Sequence, residues 1–180
     1  MIEETDNKFV HNCLRGDVNA FGTLVERYQQ PIFNTVYRMV HDWDEAEELT
    51  QRAFVKAYEN LDRFNLKQKF FSWLYRIAIN ETLNYLKQKK RLEPLQNGLM
   101  AKEKNPEEEY RSKELNEHLR KALETLDPAF QILIVLKHFQ GFSYQQISEF
   151  LDVPPKTVKS RLYTARQQLK EALEKMGYLP

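Results

Sequence analysis

The chain has 180 residues, of which 29% are charged and 42% hydrophobic, and its formal net charge is +1. That balance describes one large or two small globular units and removes bulk basicity as an argument for nucleic acid, so any such argument must come from where charge sits along the chain. One cysteine, Cys13, excludes an internal disulfide and suits a reducing cytosol; the N-terminus is acidic and no apolar run approaches the ~20 residues that span a bilayer, so a cytoplasmic chain without membrane insertion is expected.

With only 5 glycines and 7 prolines, clustered at breaks, the long uninterrupted stretches favour helices over strands and turns. Phe9, Cys13 and Leu14 stand at helical spacing before a break at Gly16-Asp17. Asp17 is placed to cap a helix carrying Phe21, Leu24, Val25 and Tyr28. Pro31 suits the first turn of a next helix, with Ile32, Val36 and Met39 on one face. Asp42 to Asp44 offers another cap, and a helix to about Leu61 follows, with apolar positions Ala46, Leu49, Ala53, Phe54, Ala57 and Tyr58. After a charged loop over 62–69, the last helix of this segment starts near Phe70 and ends in a basic cluster. Residues 92–112, with Pro94, Asn97-Gly98, Asn105-Pro106 and three consecutive glutamates, lack an apolar period and are expected to form a flexible linker.

The second segment, 113–178, opens with an amphipathic helix through Leu115, Leu119, Ala122, Leu123 and Leu126. A second helix, 129–139, begins after Asp127-Pro128 and ends at Gly141. Ser143 and Gln146 have capping-box spacing for a short helix to Leu151. Asp152-Val153-Pro154 breaks it, and Pro155 opens a final helix. The expected fold is therefore all-α: two small helical domains, 7–91 and 113–178, joined by a flexible linker, the second a four-helix domain with a helix-turn-helix.

Charge is concentrated in that last helix. No acid occurs from Val153 through Lys170. Val158, Leu162, Ala165 and Leu169 form an apolar stripe, while Lys156, Thr157, Lys159, Ser160, Arg161, Tyr163 and Arg166 lie on the other faces. Such a helix can enter the major groove, where Arg and Lys donate to guanine and Ser and Thr bond bases or phosphates. The bland alternative for a basic helix alone is a solvated face. Two capped helices around a short break tip the reading toward DNA.

The first segment mixes rings and cations: Phe64, Phe70, Phe71, Trp73 and Tyr75 among Arg63, Lys67, Lys69 and Arg76. Bases stack on rings while phosphates meet charge, a combination that suits single-stranded DNA. For Trp73, Leu74 and Ile77 a core role is expected instead. The polar loop residues Asn65 to Lys69 are the better contacts, with Lys87 and its basic neighbours placed to hold phosphate or to complement the helix C-terminus. Glu48, Gln51, Arg52, Val55 and Glu59 make an exposed face fit for a protein partner. The histidines are scattered and no nucleophile–base constellation forms, so neither a catalytic site, a metal nor a cofactor is expected.

Four pieces together resemble the extracytoplasmic function (ECF) sigma factors of the sigma-seventy family: DVNAFGTLVERY at 17–28, DEAEELTQRAFVKAY at 44–58, the Phe-x-x-Trp-Leu stretch at 70–84, and the helix-turn-helix signature at 144–166. Their order, with a linker between the third and fourth, makes the resemblance specific. It implies a transcription initiation factor and not an enzyme. The first domain would bind the clamp coiled coil of the polymerase β′ subunit through Asp44, Glu48, Leu49, Gln51, Arg52, Phe54 and Val55. The same domain would capture the melted −10 strand through Arg63, Asn65, Lys67, Lys69, Arg76, Asn80, Asn84 and Lys87. The second domain would read the −35 duplex and touch the β flap. Core polymerase and promoter DNA are the implied partners, with an anti-sigma protein a further candidate. Three positions depart from the family pattern: Arg52 replaces an acid, Lys156 a glycine and Thr164 a base. The departures imply altered promoter detail. Two rival readings are a helix-turn-helix regulator that binds operator DNA without polymerase, and a sigma mimic that binds polymerase but lacks DNA contacts.

Overall fold

A computed structural model describes residues 2–92 and 110–178 of the chain, and among them only helices and turns occur. Most of the expected linker, 93–109, lies outside the described residues. The elements are α1 (Ile2–Leu14), α2 (Val18–Val40), α3 (Trp43–Glu59), a 3-10 turn (Leu61–Arg63), α4 (Phe70–Leu92), α5 (Tyr110–Glu124), α6 (Pro128–Ile134), α7 (Tyr144–Leu151) and α8 (Pro155–Lys175). α6 continues into a π turn at Val135–Phe139.

The caps expected from the sequence form. Asp17 accepts the Asn19 N–H at 3.1 Å and starts α2. Asp42 accepts the Glu45 N–H at 2.9 Å and starts α3, whose first turn carries Asp44 and Glu45 against the positive helix end. One break does not form: α2 runs unbroken through Pro31, where a new helix was expected. A proline inside a helix removes an N–H and crowds the preceding turn. Here the Pro31 carbonyl is held by two hydroxyls, Thr35 Oγ1 at 3.1 Å and Tyr75 OH at 2.9 Å. Leu24, Tyr28, Ile32 and Val36 bury one continuous face across the proline. Tertiary burial of that face outweighs the local penalty.

α2, α3 and α4 pack as a three-helix bundle, with α1 laid across α2. Asp6 anchors α1: its carboxylate is buried and accepts from both Arg27 and Tyr28 OH, and Arg27 also lies 5.4 Å above the Phe9 ring. The buried carboxylate next to Tyr28 pushes that phenol's pKa up, after burial itself. In the second half, α5, α6 and α7 all pack on α8.

The two halves also pack on each other. α4 meets α7 and α6, and α2 meets α6 and the π turn. The centre of this contact is aromatic: Tyr75 stacks on Phe150 at 4.7 Å, Phe71 meets Phe150 at 5.9 Å, and Phe142 lies 5.4 Å from Tyr75. Polar contacts surround the rings. Gln131 reaches the Met39 carbonyl at 3.5 Å and Lys90 the Leu126 carbonyl at 3.1 Å. No helix among the described residues is long and apolar enough to cross a membrane.

His41 sits at the edge of the same contact. It ends α2 in a left-handed conformation (φ 57°), its side chain half-buried near Arg38 of α2 and Arg120 and Glu124 of α5. Burial first, then the charges of Arg120 and Arg38, lower its pKa to about 4. Glu124 lies 4.0 Å away but is already engaged by Arg120 at 2.7 Å, so it does not hold a proton on the imidazole. A base with a depressed folded-state pKa contributes its full stability above its ordinary value near 6.5 and loses it as pH falls toward about 4.

Two predictions follow from these buried groups. Replacing Asp6 with Ala leaves the Tyr28 hydroxyl without an acceptor and costs about 1.5–3 kcal/mol in urea denaturation. Replacing His41 with Asn preserves the left-handed backbone and removes the titration. Between about pH 7.5 and pH 5 the wild-type urea stability falls by on the order of 2 kcal/mol more than that of the Asn variant.

Candidate nucleic-acid and polymerase interfaces

The helix-turn-helix is assembled from the predicted local signals. Ser143 accepts the Gln146 N–H at 3.2 Å and donates its own N–H to Gln146 Oε1 at 2.9 Å, completing a capping box for α7. Asp152 ends α7 with φ 53°, and Ser148 Oγ donates to the Val153 carbonyl at 2.6 Å, tightening the turn. Pro155 occupies the first turn of α8. Val158, Leu162 and Ala165 are fully buried, as the stripe requires.

Their burial fixes which way the remaining side chains point. Lys156, Lys159, Ser160, Arg161, Tyr163 and Arg166 are exposed and Thr157 is half-buried beside them. Tyr163, 64% exposed, stands out as a ring without packing partners on that face. Ser160 and Thr164 turn their hydroxyls back to the carbonyls of Thr157 and Ser160, at 3.1 and 3.3 Å. Arg166 donates through Nε to His138 Nε2 at 3.1 Å. Burial and the neighbouring Arg166 lower the His138 pKa, which keeps the ring a neutral acceptor and sets the guanidinium's direction. That orienting histidine was not apparent in the sequence, because nothing local connects residue 138 to residue 166.

The loop before α4 is outward-facing, with Arg63, Asn65, Lys67 and Lys69 exposed. Asn65 shapes it: its side chain accepts the Lys67 N–H at 3.0 Å and its carbonyl the Gln68 N–H at 2.8 Å. Beneath the loop the rings are core. Phe64 and Phe70 are buried, Trp73 is half-buried, and the three lie 5.0–5.8 Å apart. The core role expected for Trp73 and Leu74 thus extends to Phe64 and Phe70. Asn80, Asn84 and Lys87 line up on α4 with exposed side chains. Arg76 belongs to the same stripe but is engaged elsewhere: Nη2 donates to the Glu149 carbonyl at 3.0 Å and Nη1 lies 3.6 Å from Asp152. Lys89, in the terminal basic cluster, is paired with Glu45 at 2.7 Å.

A groove of about 1290 Å³ runs between α2 and α3. Phe21, Val25, Phe54 and Val55 form its apolar floor, and Glu26, Glu47 and Glu59 its acidic rim. Of the residues expected to meet a protein partner, Asp44, Glu48, Gln51, Arg52 and Val55 are exposed. Leu49, 2% exposed, holds α3 in the bundle core, and Phe54 is buried in the groove floor. Arg52 bonds Glu48 one turn back, so the departure from the family's acid at 52 is neutralised within α3. The α2 wall of the groove, and an exposed aromatic corner of Phe33, Tyr37 and Trp43 at its end, were missed by reading α3 alone. Phe33 and Tyr37 at i, i+4 followed by an exposed Trp43 were the available signal.

Comparison with known proteins identifies the arrangement. The description "Sigma-70 region 2" matches residues 24–92 and "Sigma-70, region 4" matches 117–169. The chain is 32% identical to the RNA polymerase sigma-H factor of Pseudomonas aeruginosa, over 97% of this chain and 96% of that one. It is 34% identical to the ECF RNA polymerase sigma-E factor of Escherichia coli K12, over 92% of each. Two solved structures share the fold: CnrH in complex with the cytosolic domain of CnrY (TM-score 0.68, 23% identity, 95% of this chain and 98% of that one), and the sigma factor RpoE with the anti-sigma factor NepR from Bartonella quintana (0.66, 24%, 87% and 98%). With a groove-bearing helical bundle, an exposed basic helix-turn-helix and relatives matching almost end to end, the chain belongs to the sigma-70 family of RNA polymerase sigma factors, in its ECF branch.

Proposed function

We propose that the two halves divide promoter recognition as the family pattern implies: residues 7–91 hold polymerase and the melted −10 strand, and residues 113–178 read the −35 duplex. The observation that carries this reading is α8. Val158, Leu162 and Ala165 of its apolar stripe are buried and Leu169 half-buried, so its acid-free face over 156–166 is left to solvent with two lysines, two arginines and a tyrosine presented together. Lys156, Lys159 and Arg161 lie toward its N-terminal half, the part that reaches base edges in a groove-bound recognition helix. Duplex reading needs no chemistry beyond hydrogen bonding and charge neutralisation, and the side chains supply both.

For the first half, the loop cations Arg63, Lys67 and Lys69 and the α4 stripe of Asn80, Asn84 and Lys87 form a polar path for one strand. The groove between α2 and α3 suits a partner helix with an apolar face and basic flanks, which is the role assigned to the clamp coiled coil of core polymerase. An anti-sigma protein would compete for the same groove. Neither half alone carries enough contacts for tight promoter binding; polymerase holds both at fixed spacing, and linkage raises their effective concentration.

The groove sets this reading apart from a regulator acting without polymerase, and α8 sets it apart from a mimic without DNA contacts. Single replacements of Lys159 and Arg161 by Ala weaken promoter binding of the polymerase–sigma complex by about 1–3 kcal/mol each in a filter or anisotropy titration, with binding to core polymerase unchanged. Val55→Asp has the opposite profile: affinity for core polymerase falls roughly 10-fold or more. A chain that fails to direct core polymerase to any promoter would overturn the proposal.

A further inference from the structure

The turn at the crest of the loop before α4 is held more firmly than an exposed turn requires. It spans 65–68 and is closed by the Gln68 N–H on the Asn65 carbonyl at 2.8 Å. Its central peptide joins Leu66 to Lys67, and both polar groups of that one peptide have partners. The Lys67 N–H donates to Asn65 Oδ1 at 3.0 Å, and the Leu66 carbonyl accepts from Asn7 Nδ2 at 3.1 Å. The first bond is local. The second comes from α1, fifty-nine positions away. A peptide unit is planar, and the two common turn types differ in the direction this central unit faces. Holding it at both ends fixes the turn, and with it the direction of the two side chains it carries.

The anchor behind Asn7 is firm. Asp6, its neighbour in the chain, is buried and bound to Arg27 and Tyr28, and Val10 on the next turn is in the core. α1 also packs against the 3-10 turn and α4, on either side of the loop. Of the two side chains so aimed, one is a cation and the other is apolar. Leu66 is 45% exposed, whereas Leu61, Phe64 and Phe70 around it in the chain are buried. Single exposed leucines are common on protein surfaces. This one differs because its direction is set from outside its own loop and because Arg63 and Lys67 stand beside it, both exposed. Unstacked bases offer an apolar face, and a leucine can lie against or between bases while cations meet the phosphates. We propose that Leu66 is the contact of this loop with a base of the captured strand, and that Asn7 of α1 is its positioning residue. A division of labour inside the turn results: Lys67 holds the backbone whatever the base, and Leu66 holds the base whatever the salt. Loss of the Asn7 N–H lets the central peptide turn over and Leu66 leave its place, while Asp6 still ties α1 to α2.

These roles rest on the strand-capture reading, and two oligomers separate them from it. One is a fluorescein-labelled thymidine 20-mer. The other has the same phosphate backbone with an abasic tetrahydrofuran unit at every position. The full-length chain is titrated against each at low salt and binding is followed by anisotropy. Leu66→Ala and Asn7→Leu, the latter similar in size but without the N–H donor, are each expected to bind the thymidine oligomer at least about 3-fold more weakly. Both are expected to bind the abasic oligomer as the wild type does. The double variant is expected to be no weaker than Leu66→Ala alone, because a positioning residue then has nothing left to position. Lys67→Ala is expected to weaken both oligomers and to reduce the steepness of the salt dependence by about 0.7. Equal losses on the two oligomers, additive losses in the double variant, or no loss in either single variant overturns the proposal. If Lys67→Ala still weakens both oligomers in such a case, strand capture stands and only the roles of Leu66 and Asn7 fall; if Lys67→Ala also changes nothing, the strand-capture reading falls with them.

Discussion

Tyr75 of α4 serves two packing problems at once, tying α4 to α2 through its hydroxyl and to the second half through its ring. Its hydroxyl donates to the Pro31 carbonyl at 2.9 Å and lies within hydrogen-bond distance of Thr35 Oγ1 at 2.8 Å, which ties α4 to the proline turn of α2. Its ring face stacks on Phe150 and so joins the second half to the first. Its burial pushes the phenol pKa up to about 12, so it stays a neutral donor at every pH the chain meets. A buried phenol whose hydroxyl has an acceptor avoids a desolvation penalty of about 1–3 kcal/mol, and its ring still contributes full apolar burial. Without that hydroxyl the straight α2 loses a tie on its proline turn; without that ring the two halves lose the centre of their contact.

Much of the fold could be read from local signals. Capping residues are short-range devices, so Asp17, Asp42, Asp127 and Ser143 announced their helices correctly. The apolar stripe of α8 was equally plain, since a repeat over four turns has few other uses. What stayed hidden was non-local. Pro31 reads as a helix start because the burial that keeps α2 continuous across it is tertiary, with contacts such as Tyr75 more than forty positions away. The packing of α4 on α7 is carried by aromatics that also suit an ordinary core or a base-stacking platform, and nothing in their spacing names the partner surface.

The same limit governs the sites. The exposed cationic face of α8 was fully apparent, because burying Val158, Leu162 and Ala165 leaves the helix no freedom to hide its cations. The α4 stripe proposed for the strand was apparent in its residues but not in what holds them. Arg76 is chemically a good phosphate ligand, and only the folded chain shows it held by Glu149 and Asp152. In the protein-binding groove, α3 was visible as a charged amphipathic helix, but a groove needs two walls. The second wall, on α2, is built from Val18, Phe21 and Val25, residues whose pattern already satisfies a plain core reading.

Charge placement ties these surfaces together. A net charge of +1 conceals an acidic α3, an α8 without an acid before Glu171, and a basic loop before α4. Segregation of this kind lets one small chain meet a basic protein helix and an anionic duplex with different faces, without the non-specific DNA affinity that a uniformly basic protein would have. Specificity that appears only in an assembled complex depends on neither half binding tightly alone.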